Sequence, residues 1–133
     1  MTTVLFACIH NAGRSQMAAA LFGQLADPAK ARALSAGTDP GARVHPEVVE
    51  AMRERGVDLS QAAPRKLTET LAREAQLLIT MGCGDECPVV PGLERDDWPL
   101  EDPKGKPPAR VREIRDEIER RVRALVSERG WSR

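Results

Sequence analysis

TVLFACIHNAGRSQMAAALF, residues 3–22, runs from an apolar stretch through a short polar loop into a segment with helical periodicity. Thr3–Ala7 reads as a short β-strand. Beyond the loop, Met17, Leu21 and Leu25 recur at i, i+4 and i+8 with Ala18 and Phe22 beside them, so residues 15–26 read as a helix with one apolar face. Asp27-Pro28 stops it, because proline cannot continue a helix. Cys8 stands where the strand ends. A steric reading makes it a buried small residue before a glycine turn, since free cysteine is among the most buried residue types. A chemical reading makes it a thiol at the floor of an anion cradle.

The same strand–loop–helix pattern recurs along the chain. ARALSAGT (31–38) reads as a second strand ending in a glycine turn. Pro46 suits the first position of a helix, Val48, Val49 and Met52 give that helix an apolar face, and Gly56 ends it. Residues 57–67 read as loop and 68–75 as a short helix. QLLITM (76–81) is the most apolar β run and suits a central strand. Residues 82–108, rich in Pro and Gly, read as loop with a short strand near 96–98. The last helix, 109–129, sets Val111, Ile114, Ile118, Val122 and Leu125 on one face and Arg and Glu on the others. Alternation of this kind predicts an α/β fold with a parallel sheet and helices on both faces. Ligands of such sheets bind at the carboxyl ends of the strands, where the loop after Thr3–Ala7 begins.

That loop reads Cys8-Ile9-His10-Asn11-Ala12-Gly13-Arg14-Ser15, or C-x5-R-S. A short loop curled onto a helix N-terminus turns backbone N–H groups inward, and the helix dipole adds to their field. Ile9, His10, Asn11, Ala12, Gly13 and Arg14 are therefore the expected oxyanion-binding residues. Gly13 frees the backbone, and Asn11 tolerates a left-handed conformation. Arg14 is a planar fork that matches a tetrahedral oxyanion. The field favours the thiolate at Cys8, to which Ser15 can donate a hydrogen bond. Strand, Cys, Gly, Arg, Ser and helix agree in order and spacing, which favours the chemical reading of Cys8 as a nucleophile.

Cys83 and Cys87, in ITMGCGDECPVVPG (79–92), follow the strongest strand at the same sheet edge as Cys8. A zinc site is disfavoured, because C-x3-C lacks a second pair and His10 and His45 are poorly placed to complete four ligands. No metal is expected. Two buried small residues is a second reading. A redox pair fits better, with Gly82 and Gly84 letting the segment move so that two nearby thiols close a disulfide. In WPLEDPKGK (98–106), Asp102 could protonate an oxygen leaving a tetrahedral centre, and Pro103 restrains it to an extended backbone.

Composition sets limits on partners. At 133 residues the chain is long enough for one core, and a single domain over 1–133 is expected. Its 20 basic and 20 acidic residues cancel, which argues against a nucleic-acid partner. MTTVLFACIHNAGRS does not read as a secretory signal, and no run has membrane-spanning length. The expectation is a cytoplasmic protein with no membrane partner and with reduced thiols.

VLFACIHNAGRSQMA, LSAGT, ITMGCGDECP and WPLEDP, in this order across nearly the whole chain, resemble the thioredoxin-coupled arsenate reductases, which share the fold of the low-molecular-weight protein tyrosine phosphatases. The resemblance implies a three-layer α/β/α domain, low-molecular-weight phosphatase-like, with a four-stranded parallel sheet. It also implies reduction of arsenate to arsenite in arsenic detoxification, with catalytic residues Cys8, Arg14, Ser15, Cys83, Cys87 and Asp102. Cys8 attacks arsenate, Asp102 protonates the departing oxygen, and Cys83 and then Cys87 resolve the adduct. Thioredoxin or an equivalent dithiol restores the thiols, without any cofactor, and a monomer is expected. The alternative is a phosphatase using Cys8, Arg14 and Asp102. The absence of tyrosine opposes it, because phosphatase relatives wall their cleft with tyrosines after the Asp-Pro. A non-catalytic anion-binding or redox-sensing module is a third reading. Against it stands the joint presence of Cys8, Arg14 and Asp102.

Overall fold

β1 (Thr2–Cys8) is the strand on which the sheet is built, lying between β2 (Ala31–Gly37) and β3 (Leu77–Thr80), with β4 (Glu94–Asp97) outside β3. The computed structural model describes residues 1–82 and 91–133, so Cys83 and Cys87 lie outside the described residues. The four strands are all parallel, in the order β2-β1-β3-β4. The connecting helices are α1 (Arg14–Leu25), α2 (Pro46–Arg53), α3 (Glu69–Arg73) and α4 (Pro108–Glu128).

Side chains of a strand alternate between the faces of its sheet, and β1 uses both. Val4, Phe6 and Cys8 belong to the larger core cluster, with Met17, Leu21 and Phe22 of α1, Val48 and Met52 of α2, and Ile114 and Ile118 of α4. Leu5 and Ala7 join Leu78, Leu67 and Ala72 of α3 in the second cluster. Every residue from Val4 to Cys8 is buried, as a central parallel strand requires. Because order reverses about β1, the loop after Cys8 leaves the sheet at the switch point of an open α/β fold.

Two aromatic residues complete this core. Trp98 is buried with its ring 5.7 Å from Phe6. Trp131 packs edge-on to Phe22 at 5.9 Å. Residues 131–133 strap down the end of α1. The Trp131 carbonyl accepts from Asp27 N at 2.7 Å, and Arg133 donates to Gln24 O and Gly23 O at 3.0 and 2.9 Å. A cation is favourable at that helix end.

β4 starts two residues before the segment in which a strand is expected. Its sequence, Glu-Arg-Asp-Asp, is exposed throughout and carries no apolar signal. Register is set by pairing instead, with Thr80 opposite Asp97 and the Thr80 hydroxyl donating to Asp97 Oδ1 at 2.7 Å.

An ion-pair network ties α2 to α4. Arg115 is 3 % exposed and donates to Ala51 O at 2.8 Å and to Glu54 Oε1 at 2.7 Å. Glu54 also accepts from Arg112. Hydrogen bonds from Arg112 and Arg115 hold the Glu54 carboxyl down to about 2, from an ordinary 4.5. A depressed carboxylate stabilises the fold fully above its unfolded value, and that contribution is lost as pH falls through the folded one. The network therefore weakens below pH 4.5. Thermal melts from pH 5 to 3 should show Glu54→Gln losing less stability on acidification than the parent. Parallel slopes for the two proteins would contradict the assignment.

Candidate active site

Gly13 precedes α1 without any capping side chain, so the first helical N–H groups have no local acceptor. The loop before it is held from outside by its carbonyls. Thr38 N donates to Cys8 O at 3.2 Å, Asp39 N to Ile9 O at 2.7 Å, Gly41 N to His10 O at 2.9 Å, His45 N to Ala12 O at 2.9 Å and Met17 N to Gly13 O at 3.0 Å. Gln16 Nε2 reaches Asn11 O at 3.2 Å. With these carbonyls turned to the surroundings, the N–H groups face the other way. Among the described residues, none of the N–H groups of Asn11, Ala12, Gly13 and Arg14 finds an acceptor. Such donors are the material of an anion site. Asn11 makes the turn at φ 50°, in the left-handed region that asparagine tolerates.

Cys8 forms the floor, 2 % exposed, with Sγ 2.9 Å from Ser15 Oγ. Asn11 Nδ2, which can only donate, reaches the same Ser15 oxygen at 2.7 Å. Ser15 Oγ is the acceptor there, which leaves its own proton free to point at the sulfur. Asn11 Oδ1 in turn accepts from Arg65 N at 3.0 Å and Gln16 Nε2 at 3.2 Å. The left-handed tolerance of Asn11 is legible in sequence, but its place as hub of this network is not. Its partner Arg65 is 54 residues away in sequence.

Arg14 is 6 % exposed. Its Nη1 donates to Leu100 O at 3.0 Å, and Nη2 lies 3.9 Å from Asp102 Oδ2. The guanidinium passes so close to Gly82 that a side chain there would overlap Nη1, and Gly82 has φ +92°. Freedom of movement is the sequence reading of Gly82; in the fold it makes room for Arg14.

Asp102 is partly exposed, and its Oδ1 accepts from Lys104 N at 3.0 Å. The next residue, Pro103, rests on the loop: a Cβ at Gly13 would lie 2.9 Å from Pro103 Cγ. Gly13 has φ −146°, so close approach, not a left-handed backbone, accounts for glycine there. His10 lies on the rim. Its Nδ1 is 2.9 Å from Asp39 O, and a carbonyl only accepts, so Nδ1 carries the proton. Ile9 is half-buried and packs against the second core cluster, while Ala12 is fully buried. His45, across the rim, is held below its ordinary value by burial, although Glu47 and Asp102 act in the opposite sense.

The structure thus brings Cys8, Arg14, Ser15 and Asp102 to one place around the loop 9–13. The site candidates Cys83 and Cys87 lie outside the described residues. Sequence reasoning missed Gln16, Leu100 and the N-terminal turn of α2, whose hydrogen bonds hold the loop and Arg14. Among the described residues no group of three His, Cys, Asp or Glu is placed to hold a metal ion, and no helix is long and apolar enough to cross a membrane. The arrangement can hold a small tetrahedral anion on backbone N–H groups and a guanidinium, with a thiol below it and a carboxyl beside it.

Similar proteins carry the same fold. A thioredoxin-dependent arsenate reductase of Corynebacterium glutamicum is 44% identical with a TM-score of 0.83, over 96% of this chain and 61% of that one. This chain therefore spans under two thirds of the Corynebacterium glutamicum chain. An arsenate reductase of Archaeoglobus fulgidus is 37% identical with a TM-score of 0.81, over 93% of this chain and 98% of that one. A Halobacterium salinarum protein, provisionally named an arsenate reductase, is 40% identical over 92% of this chain and 89% of its own. Residues 3–130 match the family described as low molecular weight phosphotyrosine protein phosphatase. Since that match runs from the first strand to beyond the last helix, the chain belongs to the low molecular weight phosphotyrosine protein phosphatase family.

Proposed function

We propose that this protein reduces arsenate to arsenite by a three-thiol relay and draws its electrons from thioredoxin or an equivalent dithiol. The observation that carries the reading is the set of loop N–H groups, from Asn11 to Arg14, that find no acceptor among the described residues. Its likeness to a thioredoxin-dependent arsenate reductase at 44% identity supports the choice of substrate and reductant.

In this reading arsenate sits on the N–H groups of residues 9–14 and the Arg14 fork. The Cys8 thiolate, steadied by the Ser15 hydroxyl, attacks arsenic, and an As–O bond breaks. Asp102 gives its proton to the departing oxygen, which leaves as water. The Cys83 thiolate then attacks Cys8 Sγ. The S–As bond breaks with its electron pair passing to arsenic, which leaves as arsenite, and a Cys8–Cys83 disulfide remains. Cys87 attacks Cys83, frees Cys8, and forms a Cys83–Cys87 disulfide for the external dithiol to reduce.

The test is to mix fully reduced protein with one equivalent of arsenate, without reductant, and map thiols by peptide mass spectrometry. Arsenite release with a Cys83–Cys87 disulfide is expected, and Cys87→Ser should trap Cys8–Cys83 instead. Free thiols throughout, together with hydrolysis of p-nitrophenyl phosphate through Cys8, would make the chain a phosphatase instead.

A further inference from the structure

We propose that Glu47, on the first turn of α2, is a positioning residue that holds Asp102 over the cradle through the backbone N–H of Gly105. The inference rests on the role proposed above for Asp102 as proton donor.

Asp102 sits on a tight turn. Lys104 N bonds back to Asp102 Oδ1 at 3.0 Å, Lys106 N bonds back to Pro103 O at 3.1 Å, and Gly105 takes φ +72°. These bonds shape the turn without fixing where it sits. Gly105 N donates to Glu47 Oε2 at 3.1 Å. Among the described residues this is the only hydrogen bond joining residues 102–106 to another element. Asp102 also approaches Arg14 at 3.9 Å, and Pro103 packs against Gly13. Neither has the directionality of a hydrogen bond.

The position of Glu47 gives the bond its meaning. His45 N, just before α2, bonds to Ala12 O of the cradle at 2.9 Å. Two residues later Glu47 bonds to the turn that carries Asp102. The start of α2 therefore grips both the anion-binding loop and the acid-bearing turn, and sets the distance between them. A carboxylate is also favoured there, because the helix N-terminus is electropositive. Proton donation depends on reach of a few tenths of an ångström, so a turn without its tie donates less well even though every chemical group remains.

The test measures single-turnover arsenate-dependent thiol oxidation and hydrolysis of p-nitrophenyl phosphate in four proteins: parent, Glu47→Ala, Asp102→Asn and the double variant. Glu47→Ala should lower kcat about tenfold, part of the gain general acid catalysis supplies, with KM changed by less than about twofold. Its pH–rate profile should lose the limb that Asp102→Asn also loses. On the Asp102→Asn background, Glu47→Ala should cost nothing further, as expected for groups acting through one another. Glu47→Gln, which keeps an acceptor, should restore most of the rate. Glu47→Asp, with the acceptor drawn back by one methylene, should fall between and serves if the alanine variant does not fold. Parent-like kcat in Glu47→Ala, or an equal loss with and without Asp102, overturns the proposal. Arsenate left untouched while phosphate ester is hydrolysed overturns the reductase reading alone. Inertness of the parent toward both substrates overturns both.

Discussion

Arg14→Lys is expected to lower kcat/KM for arsenate about a thousandfold, the scale seen when a buried oxyanion donor is lost. The charge is kept, so any loss reports geometry. Arg14 is buried and has its two terminal nitrogens directed to different tasks. Nη1 is fixed on Leu100 O at 3.0 Å, which orients the plane, and Nη2 is left toward Asp102 and the cradle. A lysine ammonium is a single point of charge and cannot hold Leu100 while presenting a second donor in a fixed plane. It can still reach one carbonyl, so the urea midpoint should move far less than the rate. Activity within tenfold of the parent would mean that the fork does not bind the oxyanion.

Asn11→Ala should show the other large effect, this time on stability: about 3 kcal/mol, read as a lower urea midpoint with unchanged slope. Two causes add. The Arg65 N–H loses its acceptor in a half-buried place, which costs about 1–3 kcal/mol. Alanine at φ 50° costs roughly another 1–2 kcal/mol. Asn11→Gly separates them, because glycine accepts that backbone freely but returns none of the hydrogen bonds. Glycine should recover only the smaller share. The Cys8 reaction should slow in both variants, because Ser15 loses the donor at 2.7 Å that leaves its own proton for sulfur. If glycine restores full stability, the side-chain network contributes nothing.

Features that are local in sequence were legible, and those that depend on distant partners were not. β1, the loop from Cys8 to Ser15 and α1 are contiguous, and their apolar periods and turn residues predict the site before any contact is known. The parallel sheet follows from the same alternation. β4 was displaced by two residues because Glu94–Asp97 has no apolar pattern and takes its place from pairing with β3. Gly13 and Gly82 were picked out as permissive, but what they permit, Pro103 and Arg14 in close contact, depends on residues far along the chain. Glu47 gave no signal at all. A glutamate at a helix start is ordinary, and only the fold brings it to Gly105.

The charged strand β4 also governs how the molecule meets copies of itself. An edge strand offers unpaired backbone groups to any extended segment that arrives. Here the newcomer would meet Glu94, Arg95, Asp96 and Asp97, all exposed, with Arg129 already ion-paired to Glu94. Stacking a second identical strand would set carboxylates against carboxylates. In a crowded solution this border of the sheet therefore makes a poor seed for fibrils.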